Sequence, residues 1–299
     1  MNILLVGLGI QGSKRLKYFS PKDNIITLDP FNKQADHNNL KKINLKNIDV
    51  AFICTPINQK EQLIKYFIDH NINIFIEKPS LVSVEKLKEI NRKINKKKLC
   101  FYTAYNHRFE PNIMQAKSEL MKNKIGKIYL INGFYGNGTA MDIKNSRWKD
   151  TKKGIVYDLG SHLIDILIYL ISIKNVSFHK IRSLSFENKF EDNYEIACNY
   201  KDIYINLETS YLSWKNKFIL NIYGSKGSIH LSGLCKWGES SIEIHKRKFP
   251  SGKPLIKKKV YRMKDPTWKR ELSYFWNALK NKENHLERDI LLSSLIDKI

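Results

Sequence analysis

The feature that most constrains the fold is a glycine-rich segment at the start of the chain, which reads MNILLVGLGIQG. Ile3 to Val6 is a short apolar run that predicts a buried parallel strand. Gly7, Gly9 and Gly12 follow at G-x-G-x-x-G spacing, and the next residues can continue as a helix. At this spacing the first glycine makes the tight turn, the second lets a pyrophosphate approach the backbone, and the third lets helix and strand pack closely. The segment therefore predicts a dinucleotide-binding turn in which the helix start binds phosphates, although glycines also occur in ordinary turns.

A carboxylate at the end of the second predicted strand supports the dinucleotide interpretation. The strand reads from Asn24 to Asp29, and Asp29 stands where an acid can accept hydrogen bonds from the ribose hydroxyls of adenosine. The alternative is that Asp29 only forms a turn at the strand end. Because Asp29 is an acid and is followed by Pro30 and Phe31 instead of an arginine, a 2′-phosphate would meet like charge, and we expect NAD in preference to NADP.

Strands and helices alternate over the first 110 residues or so. Apolar runs predict further buried strands at 49–54, 73–76 and 99–104, and helical periodicity covers 59–70 and 84–97. This alternation predicts a doubly wound α/β domain, the Rossmann architecture, over residues 1–118.

The pattern changes after residue 120. Helices are predicted at 111–122, 154–173 and 268–279, and segments of alternating polarity lie at 127–135, 176–186, 194–200, 203–212, 218–223, 227–231, 241–245 and 257–261. Successive short strands with tight turns predict an open, mainly antiparallel sheet. We therefore expect an α+β domain over residues 119–299 that binds substrate and mediates oligomerisation.

Composition narrows the functional classes. The 299 residues carry a formal net charge of +23, which suits a nucleic acid, an acidic surface or an anionic substrate. The lysines are scattered through every segment, so we favour a compositional bias on solvated faces and expect neither nucleic-acid nor membrane binding. The basic stretch 245–262 reads as a hairpin.

The cysteines and the apolar runs indicate the compartment. Cys54, Cys100, Cys198 and Cys235 lack C-x-x-C spacing, which predicts reduced core or strand residues with neither a zinc site nor a disulfide framework. The longest apolar stretch, 163–173, is too short to span a bilayer, and no basic region precedes the first apolar run. A cytoplasmic protein without a bound metal is the expectation.

Two constellations could carry chemistry. Lys78 lies between Glu77 and Pro79 at the carboxyl end of a predicted strand, where an ammonium could stabilise developing charge on a substrate oxygen. Asp158 and His162 are four residues apart in a predicted helix and would face one cavity, where an imidazole could take a hydroxyl proton. Each residue also has a structural explanation. Lys78 could be an exposed lysine in a turn, Asp158 could be an acid favoured by the helix dipole, and His162 could be a hydrogen-bonded core residue.

These elements together resemble the glucose–fructose oxidoreductase, inositol dehydrogenase and rhizopine-catabolism (Gfo/Idh/MocA) family. The resemblance spans residues 1 to about 170 and lies in five ordered motifs: GLGIQG from Gly7, CTP from Cys54, EKP from Glu77, R-F-x-P from Arg108, and G-x-x-x-D-x-G-x-H-x-x-D from Gly154. One departure is that Lys152 and Lys153 stand where two further glycines usually precede Gly154. The resemblance therefore does not predict the loop over the active site, and the two lysines could add cationic contacts for a phosphate-bearing substrate.

The resemblance implies a nicotinamide-dependent oxidoreductase that acts on a sugar, cyclitol or nucleotide sugar, assembled as a homodimer or homotetramer. The implied catalytic residues are Lys78, which anchors a substrate oxygen, His162 as general base or acid, and Asp158, which orients the substrate. The implied cofactor-binding residues are Gly7, Gly9, Ile10, Gln11, Gly12, Asp29, Thr55, Pro56, Glu77 and Lys78. The implied substrate contacts are Asn106, Arg108, Tyr157 and His162.

Two other functions fit the same fold. One is a non-catalytic dinucleotide-sensing regulator, which the retention of Lys78, Asp158 and His162 argues against. The other is a glycoside hydrolase that uses NAD transiently, an exception among glycosidases. Release of aglycone without net NADH would identify the hydrolase.

Overall fold

The computed structural model describes residues 1–144, 146 and 150–299. The chain divides into two compact units, one of Met1–Tyr105 with Trp268–Ser293 and the other of Asn106–Thr267 with Ser294–Ile299. This division differs from the predicted one in two ways. The first segment ends at residue 105 instead of 118, and the chain after residue 267 returns to the first unit. Which unit binds dinucleotide and which binds substrate stays a prediction.

The first unit is built on a parallel sheet. Its strands are β1 (Asn2–Val6), β2 (Asn24–Leu28), β3 (Val50–Ile53), β4 (Asn73–Glu77) and β5 (Phe101–Ala104), in the spatial order β2-β1-β3-β4-β5. The connecting helices are α1 (Ile10–Leu16), α2 (Ile57–Asp69) and α3 (Val84–Lys97). The strands are apolar on both faces because both faces are covered. The predicted doubly wound α/β fold is confirmed.

Two apolar clusters lie on opposite faces of this sheet. Leu4 and Ile53 belong to the cluster that includes Leu286, whereas Ile3 and Phe52 belong to the cluster that includes Phe275. Leu286 begins α8 (Leu286–Asp297), and Phe275 lies on α7 (Thr267–Lys280). The amphipathic face predicted for 268–279 therefore completes the core of the first unit, which sequence order alone did not indicate.

The second unit contains the open sheet. Its strands are β6 (Ile128–Gly136), β7 (His179–Leu184), β8 (Asn193–Tyr200), β9 (Ile203–Ser210), β10 (Lys217–Gly224), β11 (Gly227–Ser232), β12 (Glu239–Lys246) and β13 (Leu255–Arg262). They are ordered β13-β12-β11-β10-β6-β9-β8-β7. The β6–β9 pair is parallel and the other pairs are antiparallel, so the predicted mainly antiparallel sheet is confirmed.

Three helices complete the second unit, namely α4 (Pro111–Met121), α5 (Ala140–Lys144) and α6 (Ser161–Ile171). A π-helical turn, Val156–Gly160, leads directly into α6. Among the helices of the described ranges, none combines the length and apolarity needed to cross a bilayer.

Candidate functional site

Four predicted functional segments follow successive strands of the parallel sheet. The glycine turn follows β1, Asp29 follows β2, Thr55-Pro56 lies just beyond β3, and Lys78 follows β4. Because these strands are parallel and adjacent, their carboxyl ends share one edge of the sheet. That edge is where open α/β sheets bind their ligands.

The glycine turn has the geometry expected of a phosphate-binding turn. Gly7 adopts φ +94°, a left-handed conformation that favours glycine. A Cβ on Gly12 would lie 1.8 Å from the carbonyl oxygen of Gly7, whereas a Cβ on Gly9 would meet no heavy atom of the described chain within 4 Å. Gly12 thus permits close packing of α1 on β1, and Gly9 leaves the backbone open to a ligand. Ile10 is 76% exposed and Gln11 is also exposed.

Asp29 organises this turn from β2. Its Oδ2 accepts the Leu8 N–H at 2.8 Å, and its Oδ1 accepts the N–H groups of Phe31 at 2.8 Å and Asn32 at 3.0 Å. Burial opposes the charge of Asp29, but the three N–H donors outweigh it and hold the pKa of the carboxyl below its usual value. Asp29 therefore presents a negative charge beside the glycine turn. A polar cavity of about 400 Å³ lies along 29–42, with Asp29 and Lys42 in its lining.

Thr55 and Pro56 carry the turn from β3 into α2. Pro56 is exposed at the N-cap of α2, and the Thr55 methyl would lie 3.3 Å from a Cβ on Gly7. The Thr55 hydroxyl is buried and has no hydrogen-bond partner among the described residues. A buried polar atom of this kind is satisfied when a polar ligand binds. The open Gly9 backbone, the Asp29 carboxylate and this hydroxyl fit a dinucleotide.

Glu77 at the end of β4 is held by a buried arginine. Arg15 on α1 donates from Nε to Glu77 Oε1 at 2.7 Å and pairs with Glu271 Oε2 at 2.7 Å. Its guanidinium lies between the rings of Phe75 and Trp268, 4.6 Å and 4.2 Å from their centroids. Burial opposes the charge of Arg15, but the two glutamates outweigh it and raise the pKa of Arg15. Glu77 thus has a structural partner in Arg15, and its predicted contact with the cofactor stays a prediction.

Lys78 is half-buried in a short segment whose flanks are fixed. The buried Lys60 on α2 donates from Nζ to the carbonyl oxygens of Glu77 and, at 2.7 Å, Pro79. The next residue, Ser80, donates from Oγ to Asp289 on α8 at 2.6 Å. The backbone on both sides of Lys78 is therefore anchored within the first unit.

Asp158 and His162 both lie on the helix that the sequence predicted, but Asp158 lies in a π-helical turn and His162 in the α-helix that follows it. Asp158 lies within Val156–Gly160, and His162 lies in the first turn of α6. A π turn rotates the chain differently from an α turn, so the four-residue spacing is not a simple α-helical face. The Tyr211 hydroxyl donates to Asp158 Oδ2 at 3.3 Å. The joint role of Asp158 and His162 stays a prediction.

His162 packs in a buried polar group of the second unit. It is 6% exposed, and its ring centroid lies 3.9 Å from that of His107. His107 Nε2 is 3.2 Å from the Tyr135 hydroxyl, which also accepts a hydrogen bond from Lys236 Nζ at 2.8 Å. Burial raises the pKa of Tyr135, so its phenol stays protonated. The arrangement places a titratable imidazole beside a network that can pass protons.

The remaining predicted substrate contacts have partners within the second unit. Arg108 pairs with Asp165 on α6 through both Nε, at 3.2 Å, and a terminal nitrogen. Asn106 donates to Thr267 Oγ1 at 2.8 Å, and the Tyr157 hydroxyl donates to Asp297 Oδ1 at 2.9 Å. Burial raises the pKa of Tyr157. Their substrate contacts stay predictions.

Lys153 occupies the position of an expected glycine with φ +60°, the left-handed region in which glycine is favoured. Its Nζ donates to the carbonyl oxygens of Ile296 at 3.4 Å and Asp297 at 3.3 Å. Those contacts give the ammonium a structural role, whereas Lys152 is exposed. The predicted cationic contacts of Lys152 and Lys153 with a substrate phosphate stay a prediction.

Several residues in these sites were missed by sequence reasoning. Lys60 had a detectable signal, because it precedes Ile64, Phe67 and Ile68 at i−4, i−7 and i−8 and so continues the apolar face of α2. Tyr135 lies on the buried side of an alternating strand, which predicts burial without indicating a function. The other missed residues, which give no local signal, are Arg15, His107, Tyr211, Lys236 and Asp289.

Three of the four cysteines lie at the predicted buried positions. All four cysteines are free, and three of them are buried. Within the described ranges no group of three or more histidine, cysteine or acidic side chains could hold a metal ion. The prediction that the protein needs no metal stays a prediction.

Comparison with protein families gives two consecutive matches. Residues 27–105 match the model described as an oxidoreductase family with an NAD-binding Rossmann fold, and residues 113–230 match the GFO/IDH/MocA C-terminal domain.

Two curated relatives show similar sequence. Glucose-6-phosphate 3-dehydrogenase of Bacillus subtilis is 27% identical over 63% of this chain and 53% of its own length. Inositol 2-dehydrogenase of Rhizobium meliloti is 23% identical over 61% of this chain and 57% of its own length. The matched region thus spans somewhat more than half the length of these relatives.

A solved structure shows the same fold. Levoglucosan dehydrogenase in complex with NADH and levoglucosan superposes with a TM-score of 0.80 at 15% identity, covering 100% of this chain and 96% of that chain.

Proposed function

The chain belongs to the Gfo/Idh/MocA family, and from that premise we propose that it is an oxidoreductase acting on a secondary alcohol or ketone of a sugar, cyclitol or nucleotide sugar. One observation carries the proposal. The open glycine turn, Asp29, Thr55 and Lys78 follow four adjacent parallel strands, so a dinucleotide cradle and a candidate reactive lysine share one edge of the sheet.

The proposed cofactor-binding residues are the glycine turn from Gly7 to Gly12, Asp29, Thr55, Pro56 and Glu77. When bound, the nicotinamide supplies or accepts the hydride. Gly9 leaves room for the pyrophosphate, and Asp29 receives the ribose hydroxyls. Because Asp29 stays ionised and would repel a 2′-phosphate, we propose NAD in preference to NADP.

The proposed reacting groups are Lys78, His162 and Asp158. Lys78 holds the substrate oxygen and stabilises negative charge that develops on it. His162 takes the hydroxyl proton during oxidation and returns it during reduction. Asp158 orients the substrate. The buried surroundings of His162 exclude water from this proton transfer.

The substrate class is supported by the relatives, whose names specify a sugar phosphate and an inositol. We also propose a homodimer or homotetramer formed through the outer face of the second sheet. Leu130, Phe134 and Ile219 lie there, on the opposite side from buried Ile131 and Leu220. A cytoplasmic location is proposed from the four free cysteines.

The first experiment measures cofactor binding and turnover separately. NADH and NADPH are titrated by fluorescence, and tighter binding of NADH is expected. The protein is then assayed with both oxidised cofactors against panels of free sugars, sugar phosphates, inositols and nucleotide sugars.

Variants then test the reacting groups on the best substrate. Lys78→Met and His162→Asn are each expected to lower turnover by about 10²–10⁴-fold while NADH binding persists. Lys65→Met, on the surface of α2, serves as the control. Unchanged turnover in both variants would refute the assignment, and tight NADH binding without hydride transfer to any substrate would favour the regulator.

A further inference from the structure

Lys60 is a buried cation that the proposed reaction does not use. It lies on α2 and is 2% exposed, which is rare for a lysine. Burying an ammonium is costly unless its protons are hydrogen-bonded. Lys60 meets this requirement by donating hydrogen bonds to backbone carbonyl oxygens.

Those contacts lie on both sides of Lys78. Lys60 Nζ donates to the carbonyl oxygen of Glu77, immediately before Lys78, and to that of Pro79, immediately after it. A cation bound to both carbonyls fixes the orientation of the Glu77–Lys78 and Pro79–Ser80 peptide planes, which flank the Lys78–Pro79 peptide. The direction in which the Lys78 side chain leaves the backbone is thereby fixed as well.

The neighbouring contacts confine the same segment from other elements of the first unit. The Glu77 side chain is paired with Arg15 at 2.7 Å, and Ser80 Oγ donates to Asp289 Oδ2 at 2.6 Å. These contacts hold the ends of the segment, whereas Lys60 holds its centre. Lys60 contacts the backbone on both sides of Lys78 through a single atom, its Nζ.

We propose that Lys60 is a positioning residue for Lys78, acting through the carbonyl oxygens of Glu77 and Pro79. The proposal rests on the proposed function, in which Lys78 contacts the substrate. In this proposal Lys60, which is 2% exposed, acts through the backbone and without contacting substrate or cofactor.

The charge on Lys60 strengthens this clamp, because hydrogen bonds from an ionised donor are about twice as strong as neutral ones. Burial lowers the pKa of Lys60 to about 8. Glu77, Cys54 and Asp289 oppose that decrease, whereas the nearby charge of Lys78 reinforces it. The clamp should therefore weaken as pH rises through about 8.

The experiment compares Lys60→Met, which removes charge and donors, with Lys60→Gln, which keeps a shorter neutral donor. Lys65→Met on the same helix, where the native lysine pairs with Glu61 at the surface, is the matched control. Turnover, KM and NADH affinity are measured from pH 6 to 9.5. In parallel, acetylation of Lys78 by a limiting amount of acetic anhydride is followed by mass spectrometry, without substrate.

We expect both Lys60 variants to lower kcat by at least about tenfold, while NADH affinity stays within about twofold of the wild-type value. We expect the kcat of the wild type to decrease above about pH 8, where Lys60 loses its charge. This decrease should be absent in Lys60→Gln. The acetylation rate of Lys78 should change in both variants and not in Lys65→Met.

Other results would overturn the inference. If Lys78→Met abolishes turnover but Lys60→Gln retains wild-type kcat and Lys78 acetylation, Lys60 does not position Lys78. If Lys60→Met does not fold, the same two measurements on Lys60→Gln decide. If Lys78→Met itself retains full turnover, the proposed function fails instead, and the acetylation rates still report whether Lys60 holds the segment.

Discussion

Arg15 Nε lies 2.7 Å from Glu77 Oε1, which joins the helix after the glycine turn to the end of the strand that delivers Lys78. These residues are 62 positions apart in the chain. The same guanidinium pairs with Glu271 on α7, so one cation holds three elements of the first unit together.

Arg15→Met is expected to destabilise the protein strongly, because the buried Glu271 and the half-buried Glu77 would lose their counter-cation. The loss should be about 3–5 kcal/mol in urea unfolding, the usual effect of breaking a buried ion pair from one side. The triple variant Arg15→Met/Glu77→Gln/Glu271→Gln should recover part of that loss. A single variant as stable as the wild type would show that the ion pairs contribute nothing.

Gly9 and Gly12 should respond differently to the same added methyl group. Gly12→Ala is expected to lower stability by about 1–3 kcal/mol and to weaken NADH binding, because its Cβ would lie 1.8 Å from the Gly7 carbonyl oxygen. Gly9→Ala should leave stability unchanged and weaken NADH binding alone, since its Cβ would point into open space. Thermal melts with and without NADH measure both effects, and equal losses of stability would contradict the expectation.

Glu110 should make stability depend on pH. It is 1% exposed, and burial raises its pKa to about 7, although the Cys235 N–H opposes this at 3.1 Å from each carboxyl oxygen. The unfolded chain releases the proton near its ordinary value of 4.5, while the folded protein keeps it to about 7. The protonated Glu110 therefore stabilises the fold below pH 4.5. The free energy of unfolding decreases as pH rises from about 4.5 to about 7, and this contribution is fully lost above that range.

Glu110→Gln keeps an acceptor for the Cys235 N–H and cannot ionise. Its stability relative to the wild type should increase by about 3 kcal/mol between pH 4.5 and pH 8, measured by urea unfolding at each pH. Glu271, whose pKa burial also raises to about 7, is present in both proteins and cancels in the difference. A difference that is constant with pH would mean that the pKa of Glu110 is the same in the folded and the unfolded protein.

Tyr135→Phe tests the polar group around His162. The change removes a hydroxyl that accepts from Lys236 at 2.8 Å and contacts His107 at 3.2 Å, so we expect a loss of about 1–3 kcal/mol in stability. It should also lower kcat more than it alters KM and shift the pH profile of kcat, because the surroundings of His162 change. Tyr129→Phe, which removes the hydroxyl of an exposed tyrosine on the same strand, is the control. A pH profile of kcat identical to that of the wild type would show that Tyr135 does not affect proton transfer.

Much of the fold followed from local sequence. In the apolar strands, the amphipathic helices and the alternating segments, the spacing of apolar residues predicts which face of the element is buried. This spacing can be read without knowing any contact with a distant segment. Predicted and observed bounds coincide for α3 and differ by few residues for most strands. The features that escaped this reasoning include the short helix α5, the helix α8, whose sequence has little periodicity, and the π-helical turn before α6, which depends on backbone hydrogen bonding.

The sequence by itself determined the glycine turn, the segment that carries Lys78 and the helix that carries Asp158 and His162, because spacing within a segment determines these. Only the tertiary structure decided that Arg15 holds Glu77, that Lys60 binds the carbonyls beside Lys78, and that Tyr135 and Lys236 surround His107. The reason is physical. Local periodicity predicts which side chains are buried, whereas the partner of a buried charge comes from a distant segment and is identified only once the chain has folded.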